Sequence, residues 1–124
     1  MCSSDLDASA PTYLLQHFVR DRARGPRIGL EQAVRLQTAN TAALYGFADR
    51  GRIAPGLRAD LNLIELDRIA LPLPEMVYDL PASGQRLIQR ASGYRYTLLR
   101  GAVTFEEGEA TGALPGRLVR SQMG

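Results

Sequence analysis

The stretch DRGRIAPGLRADLNLIELD, Asp49–Asp67, divides the chain into two kinds of pattern. Gly46 stands just before it, and Gly51, Pro55 and Gly56 crowd its first half. Proline presets φ and glycine accepts φ > 0, so this segment must turn tightly. Its second half alternates, with Leu61, Leu63 and nearby Leu66 set against Asn62 and Glu65, which is the period of a strand. Before the turn the apolar residues recur at helical spacing; after it they do not. Helices first and strands second is the order of an α+β chain.

Working upstream, APTYLLQHFVRDRARG carries Pro11 where a first helical turn tolerates it, with Ser9 as an N-cap. Tyr13, Leu14, Leu15, Phe18 and Val19 form a broad apolar face, and Gly25-Pro26 is expected to end the helix. GLEQAVRLQT predicts a second helix with Leu30, Ala33 and Val34 on one side. ANTAALYG predicts a third, capped by Asn40 and stopped by a left-handed Gly46. Downstream, PEMVYDLP, RLIQRA, RYTLLRG and AVTFEEGEATG read as short strands. TLLRGAVTFEEG predicts a hairpin turning at Arg100-Gly101.

The 124 residues suffice for one domain, and 45% hydrophobic with 23% charged residues is an ordinary globular composition. All 15 basic residues are arginine, spread along the chain among acids, and the net charge is +2. That balance gives no reason to expect a nucleic-acid partner. No apolar run approaches the ~20 residues of a membrane span, so no membrane partner is expected. A single cysteine, Cys2, cannot form an internal disulfide, which fits a cytoplasmic location. The opening MCSSDL, back-translated with a GTG start, matches the end of a common sequencing adapter. Met1–Leu6 are therefore expected to be non-native, with the natural frame beginning near Asp7 and a short tail at 121–124.

Three ordered blocks carry a resemblance: T-x-N-x-A-A-x-x-G (Thr38, Asn40, Ala42, Ala43, Gly46), D-R-G-x-I-x-P-G (Asp49, Arg50, Gly51, Ile53, Pro55, Gly56) and A-D-L followed by an aspartate (Ala59, Asp60, Leu61, Asp67). Together they resemble the C-terminal end of metal-dependent amidohydrolases, in the N-acyl-D-amino-acid deacylase branch. The flanking segments from Asp7 and up to TGALPGRLVR, Thr111–Arg120, extend the likeness over nearly the whole chain. Gln37 departs from the family pattern at a position that concerns packing. The resemblance implies that residues 7–48 are the last helices of a (β/α)8 barrel. It implies that residues 49–120 are strands of a small composite β-sandwich, the turn-rich stretch being the exit from one domain into the other.

The resemblance also implies a parent enzyme hydrolysing the amide of an N-acyl-D-amino acid. A divalent metal, usually zinc, would polarise the carbonyl and activate water, with an aspartate as general acid/base. Its ligands would sit at the C-terminal face of the barrel. This chain offers one histidine, His17, where zinc catalysis needs three protein ligands, so neither catalytic nor metal-binding residues are assigned to it. Asp7 lacks the preceding serine and following Ala-Gly-Ala-His of the family's catalytic motif, which would lie just upstream. Asp49 and Asp60 are expected to hold turns; Glu106, Glu107 and Glu109 to form a solvated hairpin tip; Arg20 to Arg27 to be a solvated helix end; and Ser92 to Tyr96 to lie in a strand pair. Ser9, Thr12 and Tyr13 lie where the last barrel loop would run and are the substrate-proximal candidates.

Two readings follow. In the first, the chain is an inactive part of such an amidohydrolase, and its partner is the N-terminal remainder of the parent. In the second, it is a free-standing α+β binding or interaction module. Burial discriminates them: a part should leave apolar residues such as Leu14, Phe18, Leu61, Leu63 and Val103 uncovered, whereas a module should close its own sheet.

Overall fold

The computed structural model describes residues 8–120. Met1–Leu6, with Cys2 in it, and Asp7 and the 121–124 tail lie outside the described residues. The fold is mixed α+β: the α- and π-helical segments precede the strands, and two short 3-10 turns, Leu66–Arg68 and Pro81–Ser83, lie between strands.

Helix α1 (Ala10–Tyr13) starts with Pro11 in its first turn and runs on as a π-helical segment, Leu14–Asp21. The i→i+5 pattern shows in the Arg22 N–H donating to the His17 carbonyl at 2.8 Å. This segment ends at Asp21, short of Gly25, because Arg22 leaves helical space at ψ 116°. Ser9 occupies the N-cap position without making a side-chain cap bond; its hydroxyl goes instead to Gln89.

Helices α2 (Leu30–Gln37) and α3 (Ala39–Leu44) are separated by Thr38, at φ −121° and ψ −85°. The Thr38 hydroxyl donates back to the Val34 carbonyl at 2.7 Å and the Thr41 hydroxyl to Leu36 at 2.8 Å. Side chains that bond backbone this way compete with the helical ladder. The break therefore falls at Thr38, and Asn40 lies inside α3, where its side chain accepts from Arg35, rather than capping it. The end of α3 follows expectation: the N–H of Gly46 (φ 69°) donates to Ala43 and that of Phe47 to Ala42, a Schellman pair.

Strand β1 (Leu61–Ile64) pairs antiparallel with β4 (Tyr94–Leu99), β4 with β5 (Ala102–Glu106), and β5 with β6 (Glu109–Ala110). The order is β1-β4-β5-β6, with Leu61 opposite Leu98 and Leu99 opposite Ala102. Arg100-Gly101 makes the β4–β5 turn with φ 55° and 80°, both positive as in a type I′ hairpin. Glu107-Gly108 turns β5 into β6 the same way, at φ 47° and 86°. Strands β2 (Glu75–Leu80) and β3 (Gly84–Ile88) form a separate two-stranded hairpin.

The core is small. Leu15, Ala33 and Ile69 are buried together, with Leu14, Val19, Ile28, Leu66 and Tyr94 half-buried around them. Of the predicted α2 face only Ala33 is buried, while Leu30 and Val34 are exposed. Leu63 is exposed, whereas Leu14, Phe18, Leu61 and Val103 are half-buried. Leu44, Ile53, Leu73, Leu114 and Leu118 are each at least 74% exposed.

Gly51 sets how closely the turn approaches α3. It sits at φ 90°, and a Cβ there would lie 2.7 Å from the Ala42 Cβ and 3.0 Å from the Thr38 carbonyl oxygen. Gly56, at φ 83°, has nothing within 4 Å of the same position. Both alanine substitutions carry the left-handed cost of about 1–2 kcal/mol, but only Gly51→Ala adds a clash. Chemical denaturation should therefore show Gly51→Ala losing about 1–3 kcal/mol more than Gly56→Ala; equal losses would refute the close packing of the turn on α3.

Candidate functional site

The predicted substrate-proximal residues divide between two sides of the first helix. Ser9 and Thr12 lie on a polar stripe that continues through Gln16 and Arg20. The Ser9 hydroxyl donates to Gln89 Oε1 at 2.6 Å, and Gln89 Nε2 donates to the Pro72 carbonyl at 2.7 Å. Thr12 Oγ1 and Tyr94 Oη share a hydrogen bond of 2.8 Å. Gln16 Oε1 accepts from the Leu71 N–H at 2.9 Å, and Arg20 Nη1 donates to the Leu66 carbonyl at 2.6 Å. Successive members three or four residues apart face the same way on a helix, and here all four reach the strand-bearing half. Thr12 is 4% exposed, and a buried hydroxyl costs free energy unless it is paired.

Tyr13 lies on the other side. Its ring stacks on His17 at 5.1 Å with a 4° interplanar angle, and Phe18 meets both rings edge-on. The Arg22 guanidinium lies 5.3 Å from the centre of the Phe18 ring. Arg22 also donates to the Arg24 carbonyl and Arg27 to the Arg22 carbonyl, so the basic run satisfies carbonyls beyond the helix end. Among the described residues no group of three or more His, Cys, Asp or Glu could hold a metal ion. The donor set of the described residues thus does not fit the divalent metal that the family resemblance implies, and no step is routed through one.

The second constellation is built on the turn. Asp49 accepts from Arg50 Nε at 2.9 Å and from Arg58 Nε at 2.9 Å, while its carbonyl takes the Arg58 N–H at 2.8 Å. Arg50 also reaches Asp60 at 3.3 Å and lies over Phe47. The other Asp60 oxygen accepts the Arg100 N–H at 2.9 Å, beside the Gly101 N–H on the Ala59 carbonyl at 2.9 Å. The hydrogen bond from Arg50, reinforced by its charge and that of Arg58, holds the Asp49 carboxyl below the ordinary carboxylate range. Asp49 and Asp60 thus hold turns, Asp49 mainly through arginines and Asp60 through a backbone N–H across the sheet.

At the hairpin tip, Glu106 accepts from the Tyr96 hydroxyl and Glu107 from Arg95, whose guanidinium also reaches Glu65. The Glu106 carboxylate pushes the Tyr96 phenol up. The tip is exposed, and Tyr94–Tyr96 lie in β4 as the strand reading expects.

The comparisons decide what kind of chain carries these features. Residues 6–105 match the amidohydrolase family. The chain belongs to that family. This amidohydrolase chain is 33% identical over 106 residues to a D-aminoacylase of Alcaligenes xylosoxydans xylosoxydans, covering 86% of the chain and 19% of that protein. It is 29% identical over 109 residues to an N-acyl-D-glutamate deacylase of the same organism, covering 88% of the chain and 20% of the relative. Over 44 residues it is 50% identical to an imidazolonepropionase of Ruegeria sp. (strain TM1040), covering 36% of the chain and 11% of that enzyme. The chain spans about a fifth of the length of the first two relatives. No solved structure matches it significantly. No helix among the described residues is long and apolar enough to cross a membrane.

The sequence reading passed over Gln16 and Gln89; it took Arg20 as part of a solvated helix end, whereas its guanidinium reaches the Leu66 carbonyl, and Tyr94 only as a strand residue. For Gln16 and Arg20 the signal was a polar residue at every third or fourth position of the apolar helix, and for Gln89 and Tyr94 there was none. Gln37, noted there as a departure, donates to the Pro11 carbonyl at 2.9 Å and ties α2 to α1.

Two measurements test these roles. Thr12→Val and Tyr94→Phe should each destabilise by about 1 kcal/mol, and a double-mutant cycle should show coupling of similar size; additive losses would mean the pair does not interact. For Asp49 the folded-state pKa is depressed, so its contribution is complete above the unfolded value, near 3.9, and is lost as pH falls through the folded value. The gap in urea midpoint between the parent chain and Asp49→Asn should hold steady above about pH 5 and shrink at lower pH. A gap independent of pH would exclude the Asp49 ion pairs as its source.

Proposed function

We propose that the chain is a part of a longer amidohydrolase that hydrolyses the amide bond of N-acyl-D-amino acids. Residues 7–48 are its last barrel helices and residues 49–120 the strands of its small β-sandwich. The observation that carries this reading is the match of over four-fifths of the chain to two deacylases of which it spans only about a fifth. The N-terminal remainder of the parent is the partner that covers the outward-facing Leu44, Tyr45, Ile53, Leu73, Tyr78 and Leu114. Catalytic residues and the ligands of a divalent metal, zinc or another, lie in that remainder, and the chain alone is inactive.

A free-standing α+β module would have to close its own sheet. Among the described residues the sheet is open, and β2 and β3 pair only with each other.

Sequencing the source DNA upstream of the Asp7 codon is expected to show the reading frame continuing. A start codon with a ribosome-binding site at that point would end this reading. Expressed from the extended frame, the parent should release free D-amino acid from its N-acyl derivative and lose that activity to a chelator. The 124-residue chain, supplied with zinc, should show no turnover; turnover by the short chain would overturn its proposed inactivity.

A further inference from the structure

A cleft of about 460 Å³ lies on the outer side of the Asp49 turn. Five arginines line it, Arg50, Arg58, Arg100, Arg117 and Arg120, against one carboxylate, Asp49. Its volume falls within the range of small-ligand sites. Arg50 and Arg58 are held in place by Asp49 and Asp60. The guanidinium groups of Arg100, Arg117 and Arg120 have no carboxylate partner among the described residues. The wall therefore combines two fixed cations with three uncompensated ones, beside the apolar surface of Phe47, Leu118 and Val119.

The backbone supplies an independent pointer. Arg100 is at φ 55° in a two-residue type I′ turn, a position that favours Asn, Asp or Gly. Its N–H is pinned by Asp60, so the backbone of the turn is fixed beside the cleft that Arg100 lines. Strained positions of this kind concentrate at ligand sites.

We propose that this cleft binds a small multivalent oxyanion, a phosphate or a polycarboxylate, through Arg100 and Arg117 with Arg50 and Arg58 behind them. Guanidinium groups match the planar fork of carboxylate and phosphate oxygens, and several arginines in one cleft favour an anion of more than one charge. The inference does not depend on the reaction of the parent enzyme.

The test is a titration with inorganic phosphate, and separately with citrate, followed by amide NMR shifts at ionic strength fixed with sodium chloride, on the 124-residue chain where its amide spectrum is dispersed as in a folded protein and otherwise on the parent expressed from the extended frame. Saturable shifts around residues 47–50, 58, 100 and 117–119 are expected with at least one anion. Saturation by phosphate alone assigns a phosphoryl ligand, by citrate alone a polycarboxylate, and by both the shared oxyanion chemistry. Arg100→Gly suits the turn better than the native residue, and Arg117→Ala falls outside every strand, so neither substitution threatens the fold. Each should weaken binding by about tenfold, and weakening in either variant sustains the proposal. No saturable shift with either anion, or unchanged affinity in both variants, would overturn it.

Discussion

The Asp49 carboxylate draws Arg50 and Arg58 onto one anion, while its own carbonyl closes the loop that runs between them. Arg50 carries the link to Asp60, and Asp60 carries it to the backbone of the β4–β5 turn. Three separate pieces of chain, the exit from α3, the entry to β1 and the far hairpin, are thereby held at one place. An isolated exposed ion pair contributes little, but a network with shared partners and backbone bonds has its geometry already fixed. Gly51 completes the arrangement, because any side chain there would push the turn off Ala42.

The two halves meet differently. With only Leu15, Ala33 and Ile69 buried together, apolar burial alone cannot set the register of the first helix against the β segments. The polar stripe does so instead. Ser9, Thr12, Gln16 and Arg20 contact Gln89, Tyr94, Leu71 and Leu66, which lie far apart along the chain. Hydrogen bonds are directional where apolar contact is not, so four of them along one helix face specify both its rotation and its translation.

What could be read from the sequence was what depends on local chemistry. The α+β order, the Gly46 stop, the Arg100-Gly101 turn and the β2 and β3 segments follow from glycine placement and residue alternation. The departures arise where two local rules compete or where a partner is distant. Thr38 displaced Asn40 from the cap because its hydroxyl returned to Val34. Ser9 left its cap role for Gln89, eighty positions away. Leu30, Val34 and Leu63 kept the right period for a core face yet stay exposed, since periodicity marks which side is apolar and not what covers it. The polar stripe was illegible for a related reason: a search for apolar period treats Thr12 and Gln16 as the side facing water.

The family blocks gain a physical meaning from this. Asp49, Arg50 and Gly51 of the second block, and Ala59 and Asp60 of the third, are the residues of the turn network, joined to one another, to α3 and to the β4–β5 turn. A network of that kind fixes the passage from α3 into β1 by contacts internal to the chain. The likenesses to an adenine deaminase and an imidazolonepropionase, 48% and 50% identical, extend over only 44 residues each. The weaker likeness to the two deacylases extends over 106 and 109 residues, most of the chain. Length of match therefore outweighs percentage identity in placing the whole chain within the family, and fold-level kinship leaves the chemistry open.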